Sequence, residues 1–248
     1  MSASPVIFAV SLIIFLATVF RSAFGFGESL VAVPLLALFM PIDLAVPLSV
    51  LVSVTIAGFV VVQDHKKIHF KSAGNLTVYA VMGIPAGLWL LVHVEESLVK
   101  LILGLVIILF AIYLLTGKKL TELKNDDQRW LLGCGFLSGV LGGAYGINGP
   151  PLVVYGAKRR WSAQHFRATL QAYFLIASMV GLIGYGISGL FTWVLFRYYL
   201  WSLPALIPAI LLGRLINTRM KDDQFFSYSY LVLLGLGILL IANSVAFK

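Results

Sequence analysis

Apolar runs about twenty residues long follow one another along most of the chain, and this feature limits the folds open to it. About twenty residues of helix cross the ~30 Å hydrocarbon core of a bilayer. The runs are continuous and not alternating, which excludes a transmembrane β-barrel. Of 248 residues, 60% are hydrophobic and 11% are charged. Soluble domains carry about 25% charged residues, so this chain has too little polar surface to solvate a globule of its size. A cytosolic enzyme, a nucleic-acid module and a disordered segment are excluded. The pattern predicts an all-α polytopic membrane protein embedded in lipid.

The formal net charge of +8 then reads as cytoplasmic loop charge, with no nucleic-acid partner. Cys134 is the lone cysteine, so no intrachain disulfide and no thiolate metal site is expected. The first basic residue is Arg21, so residues 1–20 lack the positive n-region of a signal peptide and read as a retained membrane segment.

Ten helices are predicted, over residues 5–24, 28–39, 44–62, 74–92 and 98–116, then 129–141, 150–156, 162–187, 193–212 and 228–246. Their order repeats: one helix, a glycine break, a short helix, three full helices. Residues 24–34 (FGFGESLVAVP) resemble residues 142–151 (GGAYGINGPP) at an offset of about 120, and internal repeats mark transporters. The first repeat is residues 1–116, with a hairpin over 5–39 and spans over 44–116. A cytoplasmic linker covers 117–128. The second repeat is 129–248, with a hairpin over 129–157 and spans over 162–246.

Positive charge assigns sides to these elements. Lys66, Lys67 and Lys71 fall in one loop, and Lys118, Lys119, Lys124 and Arg129 in the dividing one. Lys158, Arg159 and Arg160 follow the seventh helix, and Arg214, Arg219 and Lys221 the ninth. These four loops face the cytoplasm, and the acidic loop 93–97 faces outward; Arg197, near an outer loop, is the exception. Each hairpin then enters and leaves on one side, and the two do so from opposite sides. The expectation is two inverted repeats, each a broken-helix hairpin plus three transmembrane helices, with both termini outside.

Broken backbone at membrane depth is tolerated only inside protein or beside a cavity. Gly25 and Gly27 interrupt the first hairpin; Gly142, Gly143, Gly146 and Gly149 interrupt the second; Pro34, Pro150 and Pro151 lie at or within the short helices. Both short helices then begin near mid-membrane, where their free N–H groups and positive dipole ends make an anion site. Ser29 and Asn148 offer further donors. The alternative is that the glycines serve packing alone, which is the reading for the spacings Gly83 to Gly87 and Gly135 to Gly139. No nucleotide-binding motif and no cofactor is implied.

Few charges remain inside the apolar runs. Arg21 offers a forked donor set to an oxyanion; alternatively it snorkels or pairs with Glu28. Glu28 is either a favourable helix-start charge or a titrating carboxylate that couples protons to transport. Arg167, with His165 nearby and Gln171 one turn on, either guards a cytoplasmic entrance to the second break or anchors at the interface. His65 and His69 lack a third ligand for zinc, and Asp222 and Asp223 read as a solvated loop.

The stretch GGAYGINGPPLVVYGAKR with downstream FRAT, and Pro34 and Leu35 following the first glycines, resemble the TauE/SafE family of sulfite exporters and related permeases. The resemblance covers nearly the whole chain, with Gly142, Gly146, Asn148, Gly149 and Pro150 matching the second motif and Gly25, Gly27 and Pro34 the first. It implies transport of sulfite or an organosulfonate such as sulfoacetate across a bacterial inner membrane. The leading reading is a secondary transporter, not an enzyme, exporting a small sulfur-containing anion with a proton gradient. The candidate binding residues are Arg21, Gly25, Gly27, Ser29, Gly146, Asn148, Gly149, Pro150, Arg167 and Gln171, with Glu28 for ion coupling. An anion channel using the same site without alternating access is the alternative.

Overall fold

The computed structural model describes residues 3–116 and 122–246. Among these, ten α-helices and one 3-10 turn (His65–Lys67) form the fold, with no strand. The first five helices are α1 (Ala3–Phe24), α2 (Glu28–Leu36), α3 (Ile42–Asp64), α4 (Phe70–His93) and α5 (Glu96–Leu115). The second five are α6 (Gln128–Tyr145), α7 (Gly149–Lys158), α8 (Ala163–Ile187), α9 (Trp193–Arg219) and α10 (Asp222–Ala246). Lys118 and Lys119 of the dividing loop lie outside the described residues.

Several helix ends differ from the sequence expectation: α2 stops at Leu36 and not at 39, α4 opens at Phe70 and not at 74, and three further ends have a clear physical reason. α6 continues past residue 141 to Tyr145, with Gly142 and Gly143 inside it. Gly143 lies so close to the Ile84 carbonyl of α4 that a Cβ would clash with it, so this glycine serves helix packing and not the break. α9 runs on to Arg219 because its later polar residues find partners within the protein: Arg214 reaches Asp64 and Asn217 reaches the Ala23 carbonyl. α10 starts at Asp222, so Asp222 and Asp223 open a helix and do not form a loop.

Helix pairs pack through small residues. A Cβ on Gly83 or Gly87 of α4 would strike the carbonyl of Phe136 or Val140 on α6, and one on Gly139 would strike that of Ala80. Backbones approach this closely only where side chains are absent. α1 packs on α9 in a similar way, with Gly213 against Ser22 and Val19. The extensive contacts are α4 on α6, α1 on α9, α5 on α10 and α3 on α8. Adding or subtracting five exchanges the first two pairs and leaves the last two unchanged. α2 and α7 open at Glu28 and Gly149, and α3 and α8 at Ile42 and Ala163, spacings of 149 − 28 and 163 − 42, both 121 residues.

Among the described residues, five stretches are long and apolar enough to cross a membrane: Val6–Phe24, Asp43–Lys67, Phe70–Leu90, Ala163–Ile187 and Trp193–Arg219. Large apolar side chains such as Phe8, Leu16, Trp89, Ile183 and Trp201 point outward, as lipid contact requires. The chain is a multi-pass membrane protein.

Candidate functional site

Each glycine break joins a long helix to a short one. α1 ends at Phe24 and α2 starts at Glu28. Between them Gly27 adopts φ +88° and Gly25 φ +83°, a left-handed conformation that costs other residues about 1–2 kcal/mol. The second break turns at Gly146 (φ +69°) before α7 begins at Gly149. Phe26 is fully buried, and its ring lies over Gly149, where an added Cβ would sit 2.7 Å from the ring edge. The tips of the two hairpins therefore touch.

A helix that ends inside protein leaves carbonyls needing donors. At the first break distant side chains supply them. Arg167 Nε donates to the Ser22 carbonyl at 2.6 Å. Asn217 Nδ2 donates to that of Ala23 at 2.8 Å, and Gln171 Nε2 to that of Gly25 at 3.1 Å. At the second break the chain caps itself. Gly146 N–H donates to the Gly142 carbonyl at 2.8 Å, the αL form of helix cap, and Ile147 N–H donates to the Leu141 carbonyl at 3.2 Å.

Arg21 is 3% exposed, and each of its three nitrogens has a partner. Its Nε and Nη2 donate to Gln171 Oε1 at 3.1 and 2.9 Å, and its Nη1 donates to Ser53. The guanidinium lies 4.7 Å from the Phe174 ring centroid. Glu28 Oε2 stands 3.6 Å from Arg21 Nη1. Ser49 Oγ contacts Glu28 Oε1 at 2.8 Å and Ser29 Oγ at 2.9 Å.

Two adjoining cavities meet at this cluster. The inner one is lined by Arg21, Gly27, Glu28 and Ser29 from the first break, by Gly146, Ile147, Asn148 and Gly149 from the second, and by Phe174. The outer one is lined by hydroxyls of Ser29, Ser53, Ser138, Tyr173, Ser178 and Tyr185, and shares Gly146 and Asn148. Each has room for about one or two water molecules. The Asn148 side-chain amide, at the start of α7, makes no hydrogen bond among the described residues and borders both cavities.

Seven of the sequence candidates thus line one space: Arg21, Gly27, Glu28, Ser29, Gly146, Asn148 and Gly149. Gly25 and Gln171 stand behind it, bonded to each other, and Gln171 also holds Arg21. Pro150 is buried in the first turn of α7. Arg167 lines neither cavity; it pairs with Asp64, which also binds Arg214 at 2.9 Å. His69 stacks on Trp161 at 5.2 Å and lies 5.1 Å from His165, and no group of three metal-ligating side chains occurs among the described residues. Burial, with His165 and Arg159 beside it, holds the His69 imidazole below its ordinary pKa.

Sequence reasoning missed Ser49, Ser53, Phe174, Ser178 and Asn217. A signal existed for some: Ser49 and Ser53 are four apart in an apolar run, and residues 167, 171, 174 and 178 share one face of α8.

The family model described as sulfite exporter TauE/SafE matches residues 10–240. No curated protein and no solved structure matches the chain.

Proposed function

The chain belongs to the TauE/SafE family of sulfite exporters, and from that premise we propose that it is a secondary transporter that binds a small sulfur oxyanion, sulfite or an organosulfonate, between the two breaks. The observation that carries this reading is the inner cavity. Arg21 and the N-terminal turns of α2 and α7 line the same space. Guanidinium donors and two helix N-termini all favour negative charge. The free Asn148 amide adds an uncommitted donor at its edge. The reciprocal packing of the two five-helix halves, together with the basic loops, supports inverted repeats in a bacterial inner membrane with both termini outside.

Glu28 supplies the coupling. Its carboxylate holds the place beside Arg21 that an anion would take. Protonation removes that competing charge and frees Arg21 for substrate, so proton and anion favour each other's binding. They then travel together. A divalent sulfite leaving with one proton carries one net negative charge, and an inside-negative potential drives it outward by about 2.3 kcal/mol per 100 mV. An opposing proton gradient costs about 1.4 kcal/mol per pH unit. A membrane potential of ordinary size therefore supports export.

Purified protein should bind sulfite, sulfate, sulfoacetate and taurine unequally, and Arg21→Ala should weaken the preferred anion about a hundredfold, as loss of a buried charged donor does. Unchanged affinity in folded Arg21→Ala would remove the site. Saturable counterflow in proteoliposomes is expected of a carrier; unsaturable conductance would replace it with a channel. Cysteines at Ser97 and Lys66, in a Cys134→Ser background, should label from opposite sides of the membrane.

A further inference from the structure

Ser49 has no part in the anion site as described. It is fully buried on α3 and lines neither cavity. Its two partners are Glu28 Oε1 at 2.8 Å and Ser29 Oγ at 2.9 Å. A serine hydroxyl has one proton to give and two lone pairs to accept with. Ser49 donates to one of the two at a time; when it donates to Glu28, the Ser29 hydroxyl, whose own acceptor is Glu28 Oε2 at a long 3.3 Å, turns to donate to Ser49, so the shorter path to the carboxylate runs through Ser49. Ser29 in turn borders the outer cavity. An unbroken line of hydroxyls therefore joins that cavity to a carboxylate that has no direct place on the cavity wall.

The outer cavity suits water. It is large enough for a molecule or two and offers several hydroxyls as partners. Tyr185 is 2% exposed, and its hydroxyl makes no hydrogen bond among the described residues. A buried hydroxyl without a protein partner is ordinarily met by water.

On this geometry we infer that Ser29 and Ser49 form a relay that carries the coupling proton between water in the outer cavity and Glu28. The inference rests on the coupling role given to Glu28 above. A hydronium in the cavity gives its proton to Ser29 Oγ, the Ser29 proton passes to Ser49 Oγ, and the Ser49 proton passes to Glu28 Oε1. A neutral water, two re-formed hydroxyls and a neutral carboxylic acid remain; unloading reverses each step. Arg21, 3.6 Å away on α1, is the charged group facing Glu28 among the described residues. The second break presents Gly146, Ile147, Asn148 and Gly149, and α8 presents Phe174, none of which titrates.

The test uses purified full-length protein in proteoliposomes, with sulfite and sulfoacetate as probes. Two rates are read: anion counterflow, which requires no net proton movement, and anion-dependent proton uptake, recorded with a trapped pH dye and corrected against protein-free vesicles. Ser49→Ala should slow proton uptake at least ~tenfold, the low end of what a lost proton-transfer group costs, while counterflow stays within about twofold. Ser49→Thr, which keeps the hydroxyl, should restore uptake. Equal loss of both rates in Ser49→Ala, or no loss in either, would overturn the relay. If Ser49→Ala does not fold, Ser49→Gly, which likewise lacks the hydroxyl, gives the same contrast. Wild-type counterflow without proton movement would remove both the relay and the coupling role while leaving anion transport. Absence of any anion flux with either probe would remove the transport reading itself, and the relay with it.

Discussion

The first break hands its free carbonyls to Arg167, Gln171 and Asn217, side chains of α8 and α9 more than a hundred residues away in sequence. The second closes on itself through the backbone of Gly146 and Ile147. The first also holds Arg21 and Glu28, whereas the second presents glycines and one neutral amide. The same bend is thus built twice with different obligations. A self-capped turn keeps its shape whatever its neighbours do. A turn capped from other helices responds when those helices move, and it is the one that carries the charge. On the reading proposed above, coupling chemistry belongs at the responsive break, and a passive helix end suffices at the other.

The sharpest way to break this contrast is at the ion pairs behind the first break. Asp64→Ala leaves Arg167, 2% exposed, without its carboxylate. Removing one partner of a buried pair costs about 3–5 kcal/mol, so thermal unfolding in detergent should drop steeply. Asn148→Ala, at the second break, should leave it nearly unmoved. Comparable drops in the two variants would mean that the breaks are held alike.

Affinity gives the next contrast. Against the hundredfold loss set for Arg21→Ala, Asn148→Ala removes one neutral donor and should weaken anion binding about fivefold, roughly 1 kcal/mol. Isothermal titration separates the two; equal losses would make the second break a full partner in charge recognition.

Backbone strain comes third. Gly146→Ala should cost about 1–2 kcal/mol for its left-handed φ, since the atom nearest its new Cβ is the movable Ser29 hydroxyl at 3.2 Å. Gly25→Ala should cost more in the same melting experiment, because its Cβ would meet the Arg167 Cα at 3.0 Å. Reversal of that order would show that the first break yields more easily than its caps suggest.

The smallest effect lies outside the membrane, at His69. Its folded pKa is depressed below the usual 6.5, first by burial and then by His165 and Arg159. The unfolded chain therefore binds a proton more readily. Stability is fully present above pH 6.5 and falls as the pH drops through that value toward the lower folded pKa. His69→Gln should flatten a melting profile taken between pH 7 and pH 5; an unchanged slope would assign it to other groups.

The elements legible in the sequence were those with local signals. Glycine and proline fixed both breaks to within a few residues, and scarcity of charge pointed to Arg21 and Glu28. Ser29 and Asn148 followed from their places at helix starts. What stayed hidden depended on partners far along the chain. Asn217 reads as one polar residue near a helix end, and only packing brings it to Ala23. Arg167 looked free to meet an anion because its partner Asp64 lies 103 residues earlier. Gly143 looked like part of a break because glycine signals close helix packing and chain reversal with the same letter.

Phe26 belongs to one half of the molecule and covers the first residue of α7 in the other. With its ring fully enclosed, the two hairpin tips act as one mechanical part. Neither tip can swing without dragging its counterpart, since sliding the ring off Gly149 would expose both surfaces and open a void between them. On the carrier reading proposed above, alternation of access then requires the surrounding helices to rock about a fixed central pin, and a bulkier residue at position 149 would jam that pin without touching a single charge.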